Sequence, residues 1–473
     1  MMSVSFSFPP LFEKIQKLFP SSGMYLVGGA VRDAVLGLET RDLDFSMPAK
    51  SISMARKAAD SLGGAFYILD EEREAARAIV YGADNQRYML DFTTFQGAGI
   101  EEDLRSRDFT ITAMAVPVDQ PLRLIDPLGG ISDLQNGVLR ACTEQSLFDD
   151  PLRVLRAVRM AAQFEFRISQ ATKTLIADAK DHLRQVSPER RRDEFFRILE
   201  GPNRSAGLMA LSVMDLLPHL LPGYAPLSSL QQRMMRYLEQ LWNLLGEEHD
   251  PEAAASWAMG LAVLKLGRYR EQIRKYRERT LVPERNLPSL VAFAALFVPS
   301  HVDDISMQSA RQDARDGAAR LRLSNEEIHR VDRMLDAFRT FRDYNQEGES
   351  PTPKAVYSYF QEFDEVGVDG IFIALGELLA HQGAATSLDF WPRLLSAART
   401  HLEGWWEKYD EVISPPLLLD GHDLMQAFGL TPGPEIGEIL SRLREAQALG
   451  RISSRGEALD YAASLGVGEQ NPD

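Results

Sequence analysis

Cysteine is almost absent from this chain: among 473 residues only Cys142 carries a thiol. A lone thiol closes no internal disulfide and builds no thiolate metal cage, which excludes secreted disulfide scaffolds and points to a reducing compartment. Long apolar runs are missing too. The N-terminal stretch MMSVSFSFPPLFEKIQKLFP has no basic start followed by an apolar core, and no later segment approaches the ~18 uninterrupted apolar residues of a membrane helix. A cytoplasmic protein with no membrane partner is expected. Positive charge is in deficit, with 52 Lys plus Arg against 68 Asp plus Glu and a net charge of −16 at pH 7. That balance excludes a surface that is basic everywhere, so a nucleic-acid partner would have to be met by a local patch.

What is present suits packed cores: 45% of the residues are hydrophobic, and 473 residues suggest about three domains. Between about residues 20 and 145, apolar runs of strand length (MYLVGG, LDFSM, AFYIL, ARAIVYG, RYMLDFTTF) alternate with segments of helical periodicity. After Leu147 the spacing becomes helical, as in PLRVLRAVRMAAQFEF and RRRDEFFRILE, with no further strand cluster. The expected fold is α+β: an N-terminal head with a small mixed β-sheet, followed by a long all-helical neck, body and tail. Segments rich in Pro, Gly or Ser fall at Leu217–Ser229, Leu281–Ser289 and Asp343–Ala355. They suggest divisions at 1–145, 146–222, 223–345 and 346–473.

Gly28 and Gly29 follow the strand-like MYLV and open the helical stretch AVRDAVLGL. Such a turn lets backbone N–H groups approach a phosphate, and Arg32 on the first turn adds a guanidinium. Asp42 and Asp44 then stand two apart in DLDFSM, so in a strand both carboxylates project from one face. Like charges held that close call for a cation, and an oxygen-only set suits Mg²⁺. Asp91 in RYMLDFTTF is a third candidate carboxylate. Further on, EEDLRSRDFTITAMA precedes DDPLRVLRAVRMAAQFEF, in which Asp150, Arg153, Arg156 and Arg159 recur at intervals of three on one expected helix face.

GGAVRD, DLD, RDFT…AMA and DPLRVLRAVR in this order resemble the class II tRNA nucleotidyltransferase (CCA-adding enzyme) and bacterial poly(A) polymerase family. The tail from Pro415 to Ile452 is similar to the C-terminal segment of many members. The resemblance implies that Asp42 and Asp44 hold catalytic Mg²⁺ and that Gly28, Gly29 and Arg32 contact the triphosphate. It implies too that Arg107 and Asp108 sit against the ribose and that Asp150 with Arg153 serves as an amino-acid template for the base. Arg156 and Arg159 would extend the phosphate grip. The implied partners are CTP, ATP and the tRNA 3′ end. A carboxylate that accepts from the exocyclic amine of C or A, beside a guanidinium that donates to the ring, would leave U and G with unpaired groups.

The sequence departs from the family pattern in four places. Ser106 stands where a second arginine is usual, Thr112 where Asn is usual, and Asp149 where Glu is usual. Between the strand ending at Phe95 and the acidic start at Glu101 lie only Gln96, Gly97, Ala98, Gly99 and Ile100. CCA-adding members carry a longer flexible loop there, associated with the switch from C to A, and enzymes that add only C have lost it. The resemblance thus implies Mg²⁺-dependent addition of C and/or A of the CCA end to tRNA, the short connection raises CC addition alone, and poly(A) polymerase and an inactive RNA-binding relative are the alternatives. RNA contact is expected from Arg190, Arg191 and Arg192, and from the cluster Lys265 to Arg279. The pairs His249-Asp250 and His422-Asp423 are read as non-catalytic, because 8 histidines supply no series of further ligands. Trp405 and Trp406 are read as packing residues.

Overall fold

The computed structural model describes residues 6–20, 23–83, 85–221, 223–224, 226–246, 256–282, 285–346, 351–382 and 390–465. The pair His249-Asp250 lies outside them. The chain divides into two compact units: Met1–Asn203 with Val213–His219, and Arg204–Ser212 with Leu220–Asp473.

The first unit opens with helix α1 (Pro10–Leu18), strand β1 (Tyr25–Val27), helix α2 (Gly29–Leu36), β2 (Asp42–Met47) and α3 (Ser51–Leu62). Then follow β3 (Ala65–Asp70), β4 (Ala75–Tyr81), β5 (Arg87–Thr94), α4 (Ile100–Arg105) and β6 (Ala115–Pro117). The six strands form one sheet in the order β3-β4-β5-β2-β1-β6. β2 and β5 run parallel and the other pairs antiparallel, so the sheet is mixed as expected.

The period-2 pattern of the sequence decides which face is covered. Leu43, Phe45, Ala76, Ala78, Leu90 and Phe92 are fully buried. α3 packs across β3, β4 and β5 on that side. Phe45 and Phe92 stack with centroids 5.2 Å apart. Burying an aromatic or aliphatic side chain of this size contributes about 1.5–3 kcal/mol. Asp42, Asp44, Arg77 and Asp91 alternate with these residues and point to the other face.

The unit continues through α5 (Gly130–Gln135), β7 (Val138–Leu139), α6 (Ser146–Asp149), α7 (Arg153–Phe164), β8 (Arg167–Ile168), α8 (Gln170–Ala179) and α9 (Pro188–Glu200). β7 and β8 pair in parallel. The second unit is helical, with Asn325–Gln346 packed on Val366–Gln382 and the latter on Ser229–Gly246. It also holds a short antiparallel ladder between Thr280–Val282 and Arg285–Asn286. Strands of two or three residues are too short to show an alternation, so the sequence pattern did not reveal these ladders. Trp405 stacks on Phe360 at 4.9 Å and Trp406 packs on Tyr269, both within this core. Asp423 closes a capping box with Asp420 and pairs with Arg455, so His422-Asp423 is helix-end structure. Among the described residues no helix is long and apolar enough to cross a membrane.

Candidate active site

Gly28 adopts φ +73°, a conformation that L side chains rarely take. A Cβ there would stand 3.1 Å from both Arg107 Nη1 and Asp44 Oδ2. The glycine thus permits a guanidinium and a carboxylate to close in on the turn where α2 begins. Arg32, on the first turn of α2, behaves differently from expectation. Its Nε donates to Asp33 Oδ1 at 2.8 Å and its guanidinium lies 4.4 Å from the Phe164 ring centroid. It is 9% exposed, so in this conformation it braces α2 against α7.

Asp44 lies beside Asp91 in the β2/β5 register, and Asp42 beside Met89. Burial, with the like charges of Asp91 and Asp42, raises the Asp44 carboxyl from 3.8 to about 6 against the opposing pull of Arg107. Asp42 moves in the same direction, through desolvation and then the charge of Asp91. The pair is therefore a site short of positive charge, which is the electrostatic signature of a cation-binding carboxylate set. Asp91 is turned away from that role here: Arg77 grips it in a fork at 2.7 and 2.8 Å. Accordingly no cluster of three metal-ligating side chains forms among the described residues. Two carboxylates remain, which fits Mg²⁺, since that ion takes its other ligands from water and substrate phosphates.

Arg107 is placed by a residue that the sequence reading passed over. Asp103, 4% exposed, accepts from Arg107 Nη2 at 3.1 Å, from Ser46 Oγ at 3.3 Å and from the Gln96 amide at 3.0 Å. The signal was available: Asp103 and Arg107 stand at i and i+4 across the end of α4. Asp133 was passed over as well. It accepts from Thr110 Oγ1 at 2.7 Å and pairs with Arg140, anchoring the RDFT segment from behind.

Asp108 faces inward. Burial would raise its carboxyl, but the Arg156 guanidinium at 3.0 Å, the Thr112 hydroxyl at 2.7 Å and the Phe109 amide at 2.9 Å hold it below the usual range. Thr112 thus has a defined task as an Asp108 donor. Cys142, nearby, is pushed up to about 12 by burial and then by Asp108, so it is no nucleophile at neutral pH.

The expected arginine face is dispersed among internal partners. Arg153 donates to the carbonyls of Ser146 at 3.0 Å and Ser106 at 3.1 Å, Arg156 to Asp108, and Arg159 to Glu194 Oε1 at 2.6 Å. Asp150 does not share the helix with them. It is extended, at φ −141° and ψ 98°, and α7 begins only at Arg153. Pro151 explains this, because a residue before proline is pushed out of the helical region. Asp150 Oδ2 instead meets Arg190 Nη2 of α9 at 2.8 Å. Even so, Asp150, Arg153 and Arg190 line a common cleft of 1480 Å³ with Thr93, Phe95 and Arg107. That volume accommodates a nucleotide with its hydration.

The other expected RNA contacts fare unevenly. Arg190 is half-exposed beside Asp150, while Arg191 donates to the His219 carbonyl and Arg192 to Asp193. In the second cluster Arg268 pairs with Glu407, Arg274 with Glu271 and Arg279 with Glu365, while Arg270 and Arg277 donate to backbone carbonyls. That cluster is therefore mostly neutralised within its own unit.

A glycine turn feeding a helix, beside paired carboxylates on the open face of a mixed sheet, defines a nucleotidyltransferase head. Known relatives agree. Residues 24–140 match the poly A polymerase head domain, 165–227 the probable RNA and SrmB-binding site of polymerase A, and 400–463 the putative tRNA nucleotidyltransferase domain 2. The A-adding tRNA nucleotidyltransferase of Deinococcus radiodurans is 31% identical over 92% of this chain and 94% of its own. The CC-adding tRNA nucleotidyltransferase of Geobacter sulfurreducens is 29% identical over 93% and 91%. A Thermotoga maritima CCA-adding enzyme complexed with tRNA shares the fold, with a TM-score of 0.62, 23% identity and coverage of 96% of this chain and 95% of that one. The chain belongs to the class II tRNA nucleotidyltransferase and bacterial poly(A) polymerase family.

Proposed function

We propose that this protein is a Mg²⁺-dependent, cytoplasmic nucleotidyltransferase that adds the two C residues of the CCA end to tRNA, using CTP and no nucleic-acid template. The observation that carries the choice of C is the connection between β5 and α4. It is short and tied down: the Gln96 amide donates to Asp103 and the Ala98 amide to Glu102 Oε2 at 2.8 Å. Gly97 packs so closely on Glu102 that a Cβ there would stand 2.4 Å from Oε2. A segment held this way does not supply the long mobile loop that the family associates with switching to A.

In this reading the N–H groups at the start of α2 and the Arg107 guanidinium receive the triphosphate. Asp42 and Asp44 would hold Mg²⁺, which when bound supports both the attacking 3′-hydroxyl and the leaving pyrophosphate. The cleft beside Asp150 and Arg153 would read the base, with Arg190 giving up its hold on Asp150 or sharing it. The RNA oxygen attacks the α-phosphorus in line with the departing pyrophosphate.

The Deinococcus radiodurans relative, being A-adding, favours the other partial activity, and one assay separates the two. tRNA lacking CCA, tRNA ending in CC and an unrelated RNA are each incubated with labelled CTP or ATP. Two C additions to the first substrate, and none of A to the second, are expected. Addition of A to tRNA ending in CC would overturn the proposal in favour of A or full CCA addition, and long A tails on unrelated RNA would point to a poly(A) polymerase. Arg153→Ala should relax the preference for CTP over UTP by about 10-fold or more, since a buried donor to the base is worth about 1–3 kcal/mol. Unchanged selectivity in that variant would remove Arg153 from the base-reading role.

A further inference from the structure

We infer that the open face of β3, β4 and β5 is a stacking track for the single-stranded 3′ end of the RNA, with Tyr67 and Tyr81 as its base platforms and Arg77 and Arg87 as its charged edge. The inference rests on the nucleotidyltransferase reading above and deepens it by assigning the surface that receives the primer.

The strand register carries the placement. Tyr67 lies opposite Arg77, Arg77 opposite Asp91, and Asp91 beside Asp44, so one row runs across four strands on a single face. One step along the strands, Tyr81 lies opposite Arg87, and Ile79 opposite Met89, which neighbours Asp42. The alternate residues of these strands, Ala76, Ala78, Val80, Tyr88 and Leu90, are buried, which fixes the Tyr67 side as the open one. Tyr67 is 52% exposed and Tyr81 60%, high values for aromatic rings on a sheet that carries catalytic-type carboxylates.

Geometry names the occupant. The glycine turn at the end of β1 stands on one side of β2, and β5, β4 and β3 stand on the other. In an in-line displacement the attacking oxygen and the leaving pyrophosphate take opposite sides of the phosphorus. With the triphosphate at the glycine turn, an approach over β5 and β4 brings the RNA end in from the opposite side of β2. Three interstrand spacings put Tyr67 about 14 Å from Asp44, over the nucleotides just before the terminal one. Exposed aromatic rings on a sheet with interleaved arginines are the chemistry that holds single-stranded RNA by stacking and backbone contact. Charge agrees as well: Arg87 acts electrostatically on Asp42, so a positive group adjoins the reaction centre, while Arg77 is held on Asp91 and offers only its outer face.

The full-length protein is mixed, without nucleotide, with tRNA carrying 2-aminopurine in place of the base preceding its 3′ terminus. Stacking on Tyr67 quenches the probe. Tyr67→Ala and Tyr81→Ala should each weaken the quench and raise the KM for RNA roughly fivefold or more, with the KM for CTP unchanged. Tyr67→Phe should behave as the parent protein. An unchanged quench and unchanged KM for RNA in both alanine variants overturn the track. So does a change confined to sedimentation, which would make this face an interface between two copies. Failure of the parent protein to add C, with the quench still lost in Tyr67→Ala, would overturn the C-adding function and leave the track standing.

Discussion

Replacing Asp44 by Asn is expected to abolish nucleotide addition and, in the same protein, to stabilise the metal-free fold at neutral pH. The first effect follows from removing half of the carboxylate pair proposed to hold Mg²⁺, a loss of several kcal/mol of transition-state support, or about 10³-fold or more in rate. The second follows from linkage. The Asp44 carboxyl is raised from 3.8 to about 6 in the native state, chiefly by burial. A raised acid contributes stability that is fully present below its unfolded value and is lost as pH climbs through its folded value. Near pH 7 the native protein therefore bears an ionised carboxylate in a place that disfavours it, at a cost of about 1–3 kcal/mol. Asparagine removes that cost, and the metal-free variant should melt a few degrees above the parent. Added Mg²⁺ should raise the melting temperature of the parent and do little for Asp44→Asn. Equal or lower stability of the metal-free variant at neutral pH would show that Asp44 is not an electrostatically strained group. The coupling of gain and loss is what a site built for function at the expense of stability should display.

Local pattern made part of this site legible and long-range pairing hid the rest. The alternation in DLDFSM and RYMLDFTTF announces which carboxylates share a face, and Gly28-Gly29 before a helix announces an anion site, because both signals span only a few residues. What no local pattern shows is who partners whom across the fold. Asp91 looks like a free third carboxylate until the β4/β5 register sets Arg77 opposite it. Arg159 looks like a phosphate ligand until α9 brings Glu194 against it. The cluster from Lys265 to Arg279 reads as basic until its arginines are found on Glu271, Glu365 and Glu407. Asp150 is the instructive exception, since its departure from the helix was already written in Pro151. The net charge of −16 fits the same picture, in which several arginines that read as a basic surface are matched by carboxylates, as Arg190 is by Asp150, Arg268 by Glu407 and Arg274 by Glu271.

Arg156→Ala should unfold the protein more readily than any substitution on the surface, because Arg156 is the counter-ion of Asp108. The pair joins α7 to the RDFT segment at 3.0 Å, and Asp108 is 8% exposed. Removing Arg156, itself about a third exposed, leaves the buried Asp108 charge uncompensated, at a cost of about 2–3 kcal/mol, below that of a fully buried pair. The pH dependence discriminates this from a role in gripping phosphate. In the parent the Asp108 carboxyl is held low by Arg156, the Thr112 hydroxyl and the Phe109 amide, despite burial. A depressed acid gives stability that is present above its unfolded value and lost as pH falls through its folded value. Without Arg156 burial prevails, the carboxyl rises, and acid relieves the variant where it harms the parent. The gap in melting temperature between the two proteins should therefore be wide near pH 7 and narrow at about pH 5 or below. Asp108→Asn combined with Arg156→Ala should be less destabilised than the two single changes added together, as residues in direct contact couple. A melting temperature equal to that of the parent, with only the KM for CTP raised, would instead make Arg156 a phosphate ligand with no structural duty.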